Sequence, residues 1–296
     1  MMEENLMSPT TILYISQGIH GLAYGMLLFL LASGLTMIFG MMGILNIAHA
    51  SFFMLSAYFS YSIVNYTGNF WLGLLIAPVM TALLGALVER FLLRTVHSRG
   101  HIAELLITVG IMMVILEVVK AGWGTESLVV KIPQSLSGLI HIGNFSYPVY
   151  RIFIIVLALV VFGVMGLVLY KTRLGMVVRA AVSDPEMVNA LGINTSLLFM
   201  GVFAFGTWLA GVAGAAAGPL LTVFPGMADQ MGMDAFVVVV VGGFGSLSGA
   251  FIVALFLGEL NSYGIQFLPK LAPVLMFVFM AVVLSFKPKG LFGERE

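Results

Sequence analysis

The chain has no cysteine, so disulfides, a thiol nucleophile and a thiolate metal site are all excluded. Charge is almost as scarce. Only 9 % of the 296 residues are charged, and the 13 basic and 13 acidic side chains cancel. A soluble domain carries about 25 % charged residues. With 60 % apolar residues and a mean hydropathy of +1.10, this chain is not an ordinary soluble domain. Disorder needs the opposite composition, and zero net charge speaks against a nucleic-acid partner. Residues 1–89 hold no Lys or Arg. The N-terminal end therefore lacks the basic region of a signal peptide, and its first apolar run is expected to be kept as a membrane helix.

Catalytic signatures are missing as well. No G-x-x-x-x-G-K-[ST] cradles nucleotide phosphates and no H-E-x-x-H binds zinc. His20, His49, His97, His101 and His141 lack zinc-site spacing. No catalytic residues, metal ligands or bound cofactor are expected, and any ATP hydrolysis must belong to another chain.

What is present is a succession of apolar runs, at about 11–31, 33–48, 49–67, 70–93, 102–121, 149–170, 195–217, 234–247, 249–267 and 271–286. A crossing needs about 20 residues. The expected fold is an all-α, polytopic helical bundle of about 8–10 transmembrane helices, with pseudo-repeated halves and broken helices. The whole chain, 1–296, reads as one membrane domain. Its first half is 11–121, an extracytoplasmic loop with room for a small hairpin follows at 123–148, and the second half is 149–286. Basic residues cluster at Arg90, Arg94 and Arg99, at Lys171, Arg173 and Arg179, and at Lys287, Lys289 and Arg295. Short loops rich in Lys and Arg stay inside, which places the 171–194 loop and the C-terminal tail in the cytoplasm.

Two apolar stretches are interrupted. GLTMIFGMMGILNIAHASFF contains Gly40, Gly43, Asn46 and His49, and VVVVVGGFGSLSGAF contains Gly242, Gly243, Gly245, Ser246, Ser248 and Gly249. Each Gly lowers helix propensity by about 1 kcal/mol, and polar groups in hydrocarbon are costly without partners. One broken helix in each half suits a transporter built from inverted repeats; close helix packing through small residues is the alternative. Asn46, His49, Ser51, Gly243, Gly245 and Ser246 are candidates for a translocation path, although Asn46 and His49 could equally bond a neighbouring helix. Gly211, Gly214, Ala215 and Gly218 suit close helix approach. Glu117 and Lys120, three apart, can pair. Glu259 stands as an isolated intramembrane acid beside Asn261.

The loop KTRLGMVVRAAVSDPEMVNALGIN predicts a two-turn helix over Pro185–Leu191. Ser183 or Asp184 caps it, Pro185 takes the first position, Glu186 complements the dipole and Gly192 ends it. Met187, Ala190 and Leu191 share one face. That face packs either on the protein's own surface or on a partner.

Taken together, GLTMIFGMMGILNIAHASFFMLSAY (34–58), LGMVVRAAVSDPEMVNALGIN (174–194), VVGGFGSLSGAFIVALFLG (240–258) and KPKGLFG (287–293) resemble the LivH-type permease subunits of branched-chain amino acid ABC importers over nearly the whole chain. The resemblance implies a multi-pass protein of the bacterial inner membrane that moves branched-chain or related amino acids inward. It implies a second, homologous permease subunit, two ATP-binding subunits and a periplasmic binding protein as partners, with membrane lipid around them. It also implies that Arg179, Asp184, Pro185, Glu186, Met187, Ala190, Leu191 and Gly192 form the coupling segment that meets the ATPase. Family members often carry Gly and an acid after the first block's His, where this chain has Ala50 and Ser51. A permease for other small solutes (amides, urea, aromatic acids, sugars) and a carrier or channel working without ATPases are the alternatives.

Overall fold

The structure, a computed structural model, describes residues 8–97, 99–143 and 145–293; Arg295 of the last basic cluster lies outside them. Ser8 starts α1 (Pro9–Met42) by accepting the Thr11 N–H at 3.2 Å, with Pro9 where no N–H is needed. α1 then runs 34 residues without a break, about 51 Å. The runs expected at 11–31 and 33–48 are therefore one helix as far as Met42. Gly43, at φ 67°, ends it in the left-handed conformation. Residues 43–48 are non-helical, and α2 (His49–Thr67) begins after them.

Asn69 caps α3 (Phe70–Val88), which continues through a π-helical turn (Glu89–Leu93) into α4 (Arg94–His97). α5 (His101–Trp123) follows. The next loop forms the expected hairpin: β1 (Leu139–Ile142) pairs antiparallel with β2 (Phe145–Pro148), Leu139 facing Pro148. After α6 (Val149–Lys171) come two short helices, α7 (Arg173–Ser183) and α8 (Pro185–Ala190). The chain closes with α9 (Thr195–Ala217), α10 (Met227–Gly242), α11 (Leu247–Phe267) and α12 (Ala272–Phe286).

Among the described residues 6 helices are long and apolar enough to cross a membrane, which makes this a multi-pass membrane protein. The apolar runs had suggested about 8–10 crossings. Two things account for the difference. α1 absorbs two runs, and α2, α10 and α12 are apolar helices of 19, 16 and 15 residues that are either too short or too polar to qualify alone.

The basic clusters meet at one end of the bundle. Arg94 binds Glu89 at 2.9 Å and donates to the Ser196 carbonyl at 2.8 Å, tying the end of α3 to the start of α9. Arg179 of α7 donates to the Leu169 carbonyl, stacks over Tyr170 and shares a cavity with Phe292 of the C-terminal tail. At the opposite end Leu128 and Val223 form a β-bridge, Trp123 donates to Ser62 at 2.6 Å, and the start of α1 meets the end of α11 through Gln17 and Gln266. Near that end Lys120 pairs with Glu117 at 2.8 Å, as their spacing predicts.

Packing reveals an inverted repeat. The two most extensive helix pairs are α1 with α11 and α9 with α3. α2 packs on α9 as α10 packs on α1, and α2 meets α3 and α5 as α10 meets α11 and α12. The units α1–α2–α3–α5 and α9–α10–α11–α12 are thus related, with α6, α7 and α8 between them. This corrects the pairing of the interruptions. The counterpart of the break at 43–48 is the segment 218–226 between α9 and α10, which carries Gly218, Pro219, Pro225 and Gly226. Gly243–Ser246 is instead a tight turn between α10 and α11, the counterpart of Gly68–Asn69. The run expected at 234–247 starts earlier as well, with α10 beginning at Met227.

Small residues set the helix separations. A Cβ on Gly25 would meet the Ala254 carbonyl at 2.6 Å, and one on Gly211 would meet Pro78 Cα at 2.8 Å. A Cβ on Gly214 would overlap the Phe53 carbonyl, whereas one on Gly218 crowds the Val130 side chain at 2.8 Å and meets backbone only at an ordinary 3.7 Å, the Ala215 carbonyl. Gly214→Leu should therefore cost about 1–3 kcal/mol through overpacking. Gly218→Ala should cost less, because a side chain can yield where backbone cannot. Thermal unfolding of the two purified variants checks this order.

Candidate functional site

The break at 43–48 returns the chain into the bundle. His49, the first residue of α2, has its Nε2 3.1 Å from the Leu31 carbonyl. Leu31 stands about three turns back from the end of α1, so α2 starts at depth and not at the surface. A carbonyl only accepts, so Nε2 is the donor nitrogen. The His49 ring also lies over Gly34, where an added Cβ would sit 2.9 Å from Nε2. His49 therefore fixes where α2 begins.

Helix starts in this chain usually carry a side-chain cap: Ser8, Asn69, Thr172, Asp184, Asn194 and Ser246 each accept a backbone N–H. α2 and α10 have none, like α5, α6 and α12. The α2 and α10 starts meet, since a Cβ on Gly232 would touch the Ala50 Cβ at 2.8 Å. Where they cross, they bound a cavity of about 450 Å³, lined by Asn46, His49, Ala50 and Ser51, by Leu31 and Leu35 of α1, by Met112 of α5, and by Ala228, Asp229, Gly232, Met233 and Phe236 of α10. The volume suits a small-molecule site. Asn46 is 2 % exposed, and neither its Oδ1 nor its Nδ2 has a partner among the described residues. An unpartnered buried amide costs about 1–3 kcal/mol, and on the same cavity the buried His49 Nδ1 has no partner among the described residues either.

The candidate path residues fall into two places. Asn46, His49 and Ser51 line this cavity. Gly245 and Ser246 line a different one, of about 610 Å³, at the basic end together with Arg179, Tyr170 and Ser183. Ser246 caps α11 through the Gly249 N–H at 3.1 Å, and Gly245 packs on Gly40. Gly243, at φ 97°, is covered by the C-terminal tail, where the Leu291 N–H donates to the Val241 carbonyl at 2.8 Å and the Phe292 N–H to the Gly242 carbonyl at 3.2 Å. Sequence reasoning missed Met112 and the whole α10 wall. The signal for α10 was the Gly/Pro-rich segment at 218–226 followed by Asp229 and Asp234 in an otherwise apolar run. Asp234 accepts the Tyr24 hydroxyl at 2.5 Å, and Glu259 lies against Gly21 on the α1–α11 contact.

The 171–194 segment forms a two-helix arm at the basic end. Asp184, not Ser183, caps α8, accepting the Met187 N–H at 2.9 Å; Ser183 instead bonds back to the Arg179 carbonyl. α8 ends at Ala190, one residue before the expected end, and Gly192 at φ 85° completes the turn. Val188, 4 % exposed, anchors α8, and Asn189 accepts the Thr195 N–H at 3.2 Å. Pro185, Glu186 and Ala190 are exposed, as is Arg179. Met187 and Leu191 are 57 % and 73 % exposed. Of the two readings of this face, packing on the chain's own surface is not what the fold adopts.

A helical membrane bundle built as an inverted repeat, with two uncapped helix starts around an inner cavity, is a transport permease. The chain belongs to the family described as branched-chain amino acid transport system / permease component, which it matches over residues 18–284. It is 30 % identical to the high-affinity branched-chain amino acid transport system permease protein BraD of Pseudomonas aeruginosa, over 96 % of this chain and 97 % of that protein. It is 28 % identical to the LivH permease protein of Salmonella typhimurium, over 98 % and 99 %. A probable branched-chain amino acid transport permease protein LivH of Methanocaldococcus jannaschii is 26 % identical over 91 % and 90 %. No solved structure matches at a significant level.

His49→Ala removes the bond that seats α2 on α1. Transport should fall about tenfold, by about 1 kcal/mol from the lost hydrogen bond plus a misplaced helix start, while assembly with partner subunits persists. Uptake rates and co-purification together check this.

Proposed function

We propose that the chain is the membrane-spanning permease subunit of an ATP-driven importer that carries branched-chain amino acids into the cytoplasm. It works beside a second, similar permease subunit, two ATP-binding subunits and a soluble binding protein that delivers substrate. The chain itself binds no cofactor, and its partners hydrolyse ATP. The observation that carries this reading is the exposed apolar face of α8 at the basic end. A two-turn helix is marginal alone, and Asp184, Val188 and Gly192 hold this one so that Met187 and Leu191 face outward, available to another protein.

In this reading Arg179 and the segment from Asp184 to Gly192 take up the movement of the ATPases. The arm joins α6 to α9, and α9 packs on α1, α2 and α3. Displacement of the arm therefore reaches both helix starts at the inner cavity, and the two repeat units rock about it between outward and inward openings. Asn46, His49 and Ser51 lie on the path. Gly243, Gly245 and Ser246 support the turn beside the arm and transmit its movement.

The test is reconstitution into liposomes with and without the ATP-binding subunits. Leucine uptake should require both the ATPases and ATP, and uptake without them would establish a carrier or channel instead. Met187→Asp with Leu191→Asp should abolish co-purification of the ATP-binding subunits and lower uptake more than a hundredfold. The thermal stability of the isolated permease should change by no more than about 0.5 kcal/mol, because both positions are exposed. Retained co-purification would remove α8 from the contact.

A further inference from the structure

The inner cavity has two electrical poles. At one, α2 begins with neither a side-chain cap nor an acid in its first turn; the His49, Ser51 and Phe52 N–H groups donate to the Asn46 and Ala48 carbonyls, so it is the helix dipole and the Ala50 N–H that leave positive potential there. Asn46, just before that start, is buried with its amide unpartnered and lines the same cavity. At the other pole, α10 presents Asp229 in its first turn, exposed on the cavity wall. Between the poles the wall is apolar, built by Leu35, Met112 and Phe236 among others. A ligand matching this set carries an anionic group, a cationic group and an apolar body.

We propose that this cavity is a substrate subsite for a free zwitterionic α-amino acid. The start of α2 and the Asn46 Nδ2 bind the carboxylate, Asp229 binds the ammonium, and the apolar wall takes the side chain. The proposal rests on the importer reading above and deepens it: the permease itself reads the two charges of its cargo, in addition to any selection by a binding protein. An amino acid amide lacks the free carboxylate, and a simple carboxylic acid lacks the ammonium, so each satisfies only one pole; a peptide carries both charges but holds them further apart.

The chain has no cysteine, so a single Met233→Cys on the exposed rim of the cavity gives a clean reporter. In the assembled, nucleotide-free complex, alkylation of that residue is followed by mass spectrometry of its peptide. The probes are L-leucine, L-leucinamide and 4-methylpentanoate at equal millimolar concentration. L-leucine should slow alkylation, and the two analogues should leave it unchanged. Asn46→Ala and Asp229→Asn should each raise the half-protecting leucine concentration about tenfold, the loss of one hydrogen bond to a charged group. Co-purification of the ATP-binding subunits reports assembly. If Asn46→Ala fails to assemble, Asp229→Asn, at an exposed position, decides alone. Equal protection by leucinamide, no protection by leucine, or a cysteine that is unreactive whatever the ligand would each overturn the subsite. Leucine uptake by the same reconstituted complex separates the two ideas: uptake without protection sinks only the subsite, and absence of uptake with all partners present sinks the importer reading.

Discussion

The close crossing of α1 with α9 and α11 is the constraint on which the rest of the bundle depends. In a bilayer, lipid is as apolar as leucine, so helices associate through van der Waals contact and not by escaping water. That contact is strongest where backbones touch. Gly34 and Gly206 bring α1 against α9, and Gly21 and Gly25 bring it against Gly258 of α11. These glycines bury the middle of α1 from Met26 to Ile38 almost without gap. α1 becomes a central post, and every irregular segment is placed by reference to it.

The post explains how two helix starts can sit inside the protein. Non-helical backbone at membrane depth is tolerated only where it is enclosed by protein or lines a cavity. The segment 43–48 meets that condition by lying against α1, with His49 bonded to the Leu31 carbonyl. Its repeat counterpart, 218–226, meets it partly through the Leu128–Val223 bridge to the hairpin-bearing loop. Both breaks therefore hand their helices to the same region, and the cavity is a consequence of the repeat. The arm lies elsewhere, at the basic end, but is joined through α9 to the post. Coupling the arm to the cavity needs no more than a shift of α9 against α1, α2 and α3.

Much of this was legible from residue chemistry. The run Val149–Lys171 reads as a membrane helix because it is apolar throughout and ends on a basic anchor. The α8 helix was legible because Asp184, Pro185, Glu186 and Gly192 are local signals acting within one turn. The hairpin at 139–148 was legible from short alternating runs between turn residues. The first break was legible from Gly43 and Asn46. Its partner was not, because Gly242, Gly243 and Gly245 form the louder signal. In the fold those glycines serve a close approach to Gly40 and to the C-terminal tail, a long-range requirement with no local mark.

By itself the sequence determined the membrane class, the end of the bundle that gathers the basic residues, the capped arm and the presence of a broken helix. All of these follow from composition or from interactions between residues a few positions apart. Only the tertiary structure decided which breaks correspond, that Asn46 and His49 share a cavity with Asp229 and Met112, and that Gly245 and Ser246 belong beside Arg179. It also decided that Met187 and Leu191 face away from the protein. Those outcomes depend on which backbones approach within a glycine's radius of each other, and residues more than a hundred positions apart settle that together.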